Sequence, residues 1–240
     1  IAVFNLIKSL NNQNLEGHDI EVVIVYDDDN DIDYLNNLKI EAEEIKLKLV
    51  SYSPPFNFSK KCNLGAMNSS GEVLIFLNDD TKLITTNAIA KLSKLALQSD
   101  VGAIGAKLYF SNGSIQHGGI VVIGDNVGHA YFKERNPQAP YGDLKVIHEV
   151  SGVTGACLAQ RKSVWQEMGG WDEDFENSYN DVEYCFRLRD AGYSILQHNQ
   201  VELFHYESLT RDPSFSQETK NALARKWGKY LNDDPFFPEF

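Results

Sequence analysis

The chain has 240 residues, 42% of them hydrophobic and 23% charged, which is enough apolar material for one sizeable core and one domain. A formal net charge of −12 at pH 7 argues against a nucleic-acid surface and against a basic membrane patch, but leaves room for a small anion held locally through a cation. Cys62, Cys157 and Cys185 are widely spaced with no CxxC pair, and three buried thiols in a reducing compartment are expected. The longest apolar runs fall short of a membrane span and no signal-peptide pattern opens the chain, so the expected location is the cytoplasm, or peripherally the inner face of the membrane.

The opening IAVFNLIKSL places Val3, Phe4, Ile7 and Leu10 on one face and predicts an amphipathic helix. It begins at Ile1 rather than Met, and a fragment of something longer, with further domains, is expected. EVVIVY reads as a short apolar strand ended by Asp27, Asp28, Asp29 and Asn30. A helix over about residues 34–47 follows, with Leu35, Leu38, Ala42 and Ile45 together. LKLV is a weak strand, and PPFNFSKKCNLGAMNSSG a loop leading into a short helix. Residues 73–77, VLIFL, form a continuous apolar run of the kind buried on both faces of a parallel sheet. That run stops abruptly at Asn78, Asp79 and Asp80. A helix near 88–98 and a strand near 101–110 complete a half in which strand and helix alternate, predicting a parallel sheet with helices on both faces.

The second half is less regular. SIQHGGIVVIG reads as a strand, residues 125–147 as a long irregular excursion, and VTGACLAQRK as strand-like. NDVEYCFRLRDAG predicts a helix with Val182, Cys185, Phe186 and Arg189 along one face and Gly192 as terminator. VELFHYE is a strand, and an amphipathic helix over about 215–231 comes last.

Two strands of the first half thus end in acids. In a parallel sheet both carboxyl ends open on one edge, where α/β sheets place their ligands. Facing acidic clusters repel unless a cation or hydrogen-bond donors intervene, and Mg²⁺ and Mn²⁺ are the hard cations that take a few carboxylates plus phosphates. Acidic turns and helix caps are the competing, purely structural reading.

PFNFSKKCNLGAMNSSGEVLIFLNDDT, VGAIGAKLYFSNGSIQHGG, VTGACLAQRKSVWQEMGGWDEDF, NDVEYCFRLRDAGY and VELFHYESLTR resemble, in order, the successive motifs of bacterial family-2 inverting glycosyltransferases. The likeness runs from about Leu6 to beyond Arg211, and is nearest the rhamnosyltransferase-like enzymes of O-antigen and capsule biosynthesis. It implies an α/β fold of GT-A type: a single domain over residues 1–240 with a mostly parallel central sheet flanked by helices. Residues 1–110 would be the nucleotide-sugar-binding half, and residues 111–240 a smaller, mixed acceptor-binding and catalytic half. The implied reaction moves a hexosyl or deoxyhexosyl group from a nucleotide-diphosphate sugar, a UDP- or dTDP-sugar, to a saccharide or lipid-linked acceptor hydroxyl in cell-surface polysaccharide biosynthesis. Mn²⁺ or Mg²⁺ is the implied cofactor. Relatives normally begin with a strand whose end contacts the base, and this chain is expected to start just after it.

Carried over by residue, the metal motif falls on Asn78-Asp79-Asp80, with Asn replacing the first acid. Asp80 is implied as a metal ligand and His205 as the second. Asp27, with Asp28 as fallback, matches the base contact, and Lys60, Lys61 and Asn63 fall where relatives approach the nucleotide. Asp181 of NDVE is implied as catalytic base, Asn180 standing where the family has Glu. Gly155 in GVTGACL, and Trp171 and Asp172 in GGWDEDF, would flank donor and acceptor sugars, Trp171 as a sugar platform. Arg211, with Ser208, would lie on a loop closing over the diphosphate. Structural readings stand beside these: a solvated turn for Asp27, exposed lysines, a helix-dipole partner for Asp181, core packing for Trp171 and an ordinary strand histidine for His205. His117 and His129 are assigned no chemistry. The Asn residues at 78 and 180 keep open an inactive sugar- or nucleotide-binding module of a larger polymer-assembly protein, and a nucleotidyltransferase is the third reading.

Overall fold

The computed structural model describes residues 2–28, 32–42, 45–135, 144–206, 217–232 and 234–236. Its first half runs α1 (Ala2–Asn11), β1 (Glu21–Asp27), α2 (Ile32–Glu41), β2 (Lys46–Tyr52), α3 (Phe58–Asn68), β3 (Val73–Leu77), β4 (Thr81–Leu83), α4 (Ala88–Ala96) and β5 (Val101–Tyr109). The second half runs β6 (Ile115–His117), β7 (Ile120–Ile123), β8 (Asn126–His129), β9 (Ile147–Glu149), β10 (Cys157–Arg161), α5 (Lys162–Glu167), α6 (Asn180–Asp190), β11 (Ser194–His205) and α7 (Gln217–Trp227).

The expected strand–helix alternation of the first half is present, and across the chain three expectations are corrected. The helix expected over 34–47 is α2, which ends at Glu41 because the chain must enter β2 at Lys46. SIQHGGIVVIG is two strands, since Gly119 turns the backbone at φ +117, a conformation that favours glycine. The sheet is not mostly parallel. β1 and β2 pair in parallel, from Glu21 opposite Lys46 to Asp27 opposite Tyr52. The larger sheet has the order β3-β10-β5-β11-β4, with β6 on β5 and β9 on β11. Among its described pairings only β5–β11 is parallel. Apolar runs fix that a strand is buried, but not the direction of its neighbour.

Alternation along the central strands divides the core into two layers. Ile104, Ala106 and Leu108 of β5, with Cys157 and Ala159 of β10, face Leu6 and Leu10 of α1 and Ile89 and Leu92 of α4. Their neighbours Ala103 and Leu158 face the other way, onto Trp165, Trp171, Tyr184 and Leu188. That is the period of two expected of strands covered on both faces.

Among the described residues β1 and β3 are not hydrogen-bonded to one another. A cavity of about 2650 Å³ lies between them, lined by every residue of both strands and by residues of α1 and α3. It continues to the carboxyl ends of the strands and across to α6 and α7. No helix among the described residues is long and apolar enough to cross a membrane.

Candidate functional site

The two acidic strand ends meet at one edge, and Lys61 joins them. Its ammonium stands 2.8 Å from Asp27 Oδ1, and the same charge acts on Asp79. The rings of Tyr52 and Phe56 lie 5.5 and 5.3 Å from Lys61 Nζ, so the cation is backed by two aromatic faces. α3 positions it: the Asn57 side chain accepts the Lys60 backbone N–H at 2.9 Å and caps the helix. Consecutive helical residues point about 100° apart, so Lys60 is exposed while Lys61 lines the cavity. Lys60 therefore does not join the site expected of it. Asp28 does not either: its carboxylate takes the hydroxyls of Ser51 and Ser53, and Asp27 alone of the pair lines the cavity.

The second cluster is built by β4, which turns back immediately after Asp80 and pairs antiparallel with β11. That register sets His205 opposite Thr81 and lets Tyr206 N–H donate to the Asp80 carbonyl at 3.0 Å. His205 Nε2 lies 3.1 Å from Asp80 Oδ1 and 3.2 Å from Asn78 Nδ2, while its Nδ1 meets Gln116 Oε1 at 2.7 Å. Burial, then the neighbouring Asp80 charge, raises the Asp79 carboxyl above its ordinary value, with Lys61 and His205 opposing. Negative charge is thus crowded at the end of β3, where a cation would relieve it.

The residues fit a divalent ion. Asp80 and His205, 3.1 Å apart with Asn78 beside them, are the side chains that would hold it, a hard carboxylate and an imidazole being donors that suit Mg²⁺ or Mn²⁺. Among the described residues no group of three or more His, Cys, Asp or Glu is arranged to hold a metal. Two protein donors are the number expected where a diphosphate completes the shell.

Asp181 sits in the first turn of α6. Its Oδ2 accepts the Gly155 N–H at 3.1 Å and its Oδ1 the Val182 N–H at 2.9 Å, while the Asn180 side chain accepts the Asp181 N–H at 2.9 Å. Gly155, Asn180 and Asp181 all line the cavity, together with Asp27, Asp79, Asp80 and His205. A Cβ on Gly155 would stand 3.2 Å from Phe58 and 3.3 Å from Trp171, so the glycine lets this backbone lie close over the aromatic core.

Two other expectations are overturned. Trp171 is 2% exposed, stacked on Tyr184 at 4.7 Å and met edge-on by Phe58 and Phe76, so it has no face left for a sugar. Asn63 is a tie between α3 and the turn before Asp172: it donates to the Trp171 carbonyl and accepts the Trp171 N–H at 2.9 and 2.8 Å. Neither residue lines the cavity. Asp172 does, paired with Lys226 of α7 at 2.6 Å. Arg211 and Ser208 lie outside the described residues.

Sequence reading missed Gln116 and His117, adjacent on β6. Gln116 reaches His205, and His117 Nε2 accepts the Thr154 N–H at 3.3 Å, one residue before the glycine that holds Asp181. His117 Nδ1 meets His129 Nδ1 at 2.7 Å. Burial first, then His129 and His205, holds His117 well below the ordinary histidine range, so it is neutral. The only signal in the sequence was the polar pair inside an otherwise apolar run.

The fold is similar to solved structures, at identities that speak to fold alone. GalNAc-T7 with UDP, GalNAc and Mn²⁺ aligns over 92% of this chain and 44% of its own, with a TM-score of 0.72 and 14% identity. TarS 1–349 of S. aureus with UDP-GlcNAc gives 93%, 61%, 0.65 and 14%. The mannosyltransferase PcManGT of Pyrobaculum calidifontis with GDP-Man and Mn²⁺ gives 87%, 54%, 0.63 and 14%. In sequence, the chain is 34% identical over 169 residues to the O-antigen biosynthesis protein RfbC of Myxococcus xanthus, covering 69% of this chain and 13% of that protein. It is 30% identical over 209 residues to the y4gI protein of Sinorhizobium fredii, covering 83% and 23%. The chain thus spans less than a quarter of the length of these curated relatives. Residues 6–227 match the profile described as "Glycosyltransferase like family 2", and the chain belongs to that family.

Proposed function

We propose that the chain is the catalytic domain of a metal-dependent inverting glycosyltransferase that builds a cell-surface polysaccharide. The observation that carries this reading is that Asp27 of β1, Asp80 of the turn after β3, Asp181 of α6 and His205 of β11 line one cavity. Residues 1–110 supply the nucleotide side, with Asp27 accepting an N–H of a pyrimidine base and Lys61 facing phosphate. Residues 111–240 supply the acceptor side. Asp80 and His205, with Asn78 beside them, would hold Mn²⁺ or Mg²⁺, which offsets the charge that builds on the departing diphosphate.

Asp181 takes the proton of the acceptor hydroxyl as that oxygen bonds to the anomeric carbon. The bond from that carbon to the diphosphate breaks, and its electron pair leaves with the diphosphate. One displacement inverts the centre, and no covalent enzyme intermediate forms. The Gly155 N–H and the start of α6 hold the Asp181 carboxylate in place for this transfer. A UDP- or dTDP-sugar carrying a hexosyl or deoxyhexosyl group is the proposed donor, and a saccharide or lipid-linked hydroxyl the acceptor, in the cytoplasm or at the inner face of the membrane. The O-antigen role printed for the Myxococcus relative supports the pathway class, and the UDP, UDP-GlcNAc and GDP-Man complexes of the structural neighbours support the donor class.

The test is release of nucleoside diphosphate from UDP- and dTDP-sugars in the presence of Mn²⁺ and lipid-linked saccharide acceptors. Asp181→Asn is expected to lower transfer by about 10²–10⁴-fold, the contribution of a general base, while nucleotide binding by calorimetry is retained. Substantial transfer by that variant would remove Asp181 from its role.

A further inference from the structure

We infer that Gln116 is a positioning residue for the site: it fixes the tautomer of His205 so that the Nε2 lone pair is presented beside Asp80. The inference rests on the metal-dependent reading above, but its geometric half stands apart from it. Gln116 Oε1 can only accept, so at 2.7 Å from His205 Nδ1 it requires a proton on that nitrogen. A neutral imidazole protonated at Nδ1 has a bare Nε2. Asn78 points to the same tautomer independently, because its Nδ2 can only donate, and it stands 3.2 Å from Nε2. The Nε2 lone pair and Asp80 Oδ1 then face each other at 3.1 Å, two electron-rich atoms that a cation would join.

Gln116 has no evident packing reason to be an amide. It is 4% exposed on β6, between Ile115 and His117, and its Nε2 finds no partner among the described residues. Methionine or leucine would fill that volume without burying an unpaired donor. What the amide adds is an acceptor at His205 Nδ1. A histidine ligand whose other nitrogen is held by a neighbouring acceptor keeps its orientation and tautomer, and loss of such a neighbour costs about 10–100-fold in metal affinity.

Two substitutions separate this role from simple packing. Gln116→Met keeps the volume and removes the acceptor; Gln116→Glu keeps an acceptor at the same reach. Long-range ¹H–¹⁵N correlations of the metal-free protein, recorded above the ordinary histidine pKa of about 6.5, distinguish the protonated from the bare ring nitrogen. The His205 signals are assigned by their loss in His205→Ala, and Mn²⁺ affinity is measured by calorimetry on the same samples. The expected result is a proton on Nδ1 in the unaltered chain and in Gln116→Glu, and a mixed or Nε2-protonated ring in Gln116→Met. Gln116→Met is also expected to weaken Mn²⁺ binding about 10–100-fold, with Gln116→Glu restoring it. A proton on Nε2 in the unaltered chain, or an unchanged ring and Mn²⁺ affinity in folded Gln116→Met, overturns the inference. If the unaltered chain takes up no Mn²⁺ although its tautomers respond as expected, the metal reading fails while the hold of Gln116 on His205 stands.

Discussion

Replacing Trp171 tests whether this residue is core or sugar platform. Its ring is 2% exposed, stacked on Tyr184 with 12° between planes, and met edge-on by Phe58 at 5.7 Å and Phe76 at 5.2 Å. Truncating a buried aromatic to alanine costs about 3–5 kcal/mol, and each aromatic pair adds about 0.5–1.5 kcal/mol beyond the area it buries. With three such pairs lost, Trp171→Ala belongs in the upper part of that range, about 4–5 kcal/mol. For a chain of 240 residues, 1 kcal/mol moves the melting temperature by about 2–4 °C, so a fall of about 8–20 °C is expected. Trp171→Phe is expected to lose less than half as much, because it keeps a ring and removes an indole N–H that is buried without a partner among the described residues. Thermal and urea unfolding give the stabilities, and calorimetry with UDP-sugars gives the affinities. A Trp171→Ala protein within about 1 kcal/mol of the parent, but with sharply weakened sugar binding, would refute the core assignment.

The two lysines of α3 should separate cleanly. Lys61→Met removes a charge held between Asp27 and the ring faces and is expected to weaken UDP binding about tenfold or more, whereas exposed Lys60→Met leaves it unchanged; equal effects in calorimetry would undo the distinction. Lys226 ties α7 to Asp172 and to the fully buried Glu183, at 2.6 and 2.8 Å, so Lys226→Met should lower stability at neutral pH. Burial pushes the Asp172 carboxyl up, but the Lys226 bond and the Asp174 N–H outweigh it and leave its pKa below the ordinary 3.8. A depressed carboxylate stabilises the fold above its unfolded pKa and loses that contribution as pH falls through the folded value. The gap between Lys226→Met and its parent in urea unfolding should therefore narrow below pH 3.8; a gap that is constant across that window counts against the Asp172 partnership.

The elements of the site that the sequence disclosed were the ends of short apolar strands. Asp27, Asp79 and Asp80 could be read because a run of five apolar residues, Val22 to Tyr26 and Val73 to Leu77, marks the strand before each cluster, and a strand's carboxyl end is where polar ligand-binding groups collect. The helix over 180–190 was equally plain, and with it Asp181 at the first turn. What could not be read was the partner of each strand. β4, three residues long, carries no periodicity of its own, yet its antiparallel register with β11 is what sets His205 against Asp80. β6 is also three residues long, and its two polar side chains serve the two ends of the site, Gln116 through His205 and His117 through the loop that holds Asp181. Trp171 misled for the opposite reason. An indole serves a sugar and an aromatic core with the same face, and only the positions of Phe58, Phe76 and Tyr184, all distant from it in sequence, decide between them. The site's side chains come from segments far apart in the chain, so a shift of one residue in the β4–β11 pairing would turn His205 to the other face of the sheet and dismantle the Asp80–His205 pair while leaving every local pattern in the sequence intact.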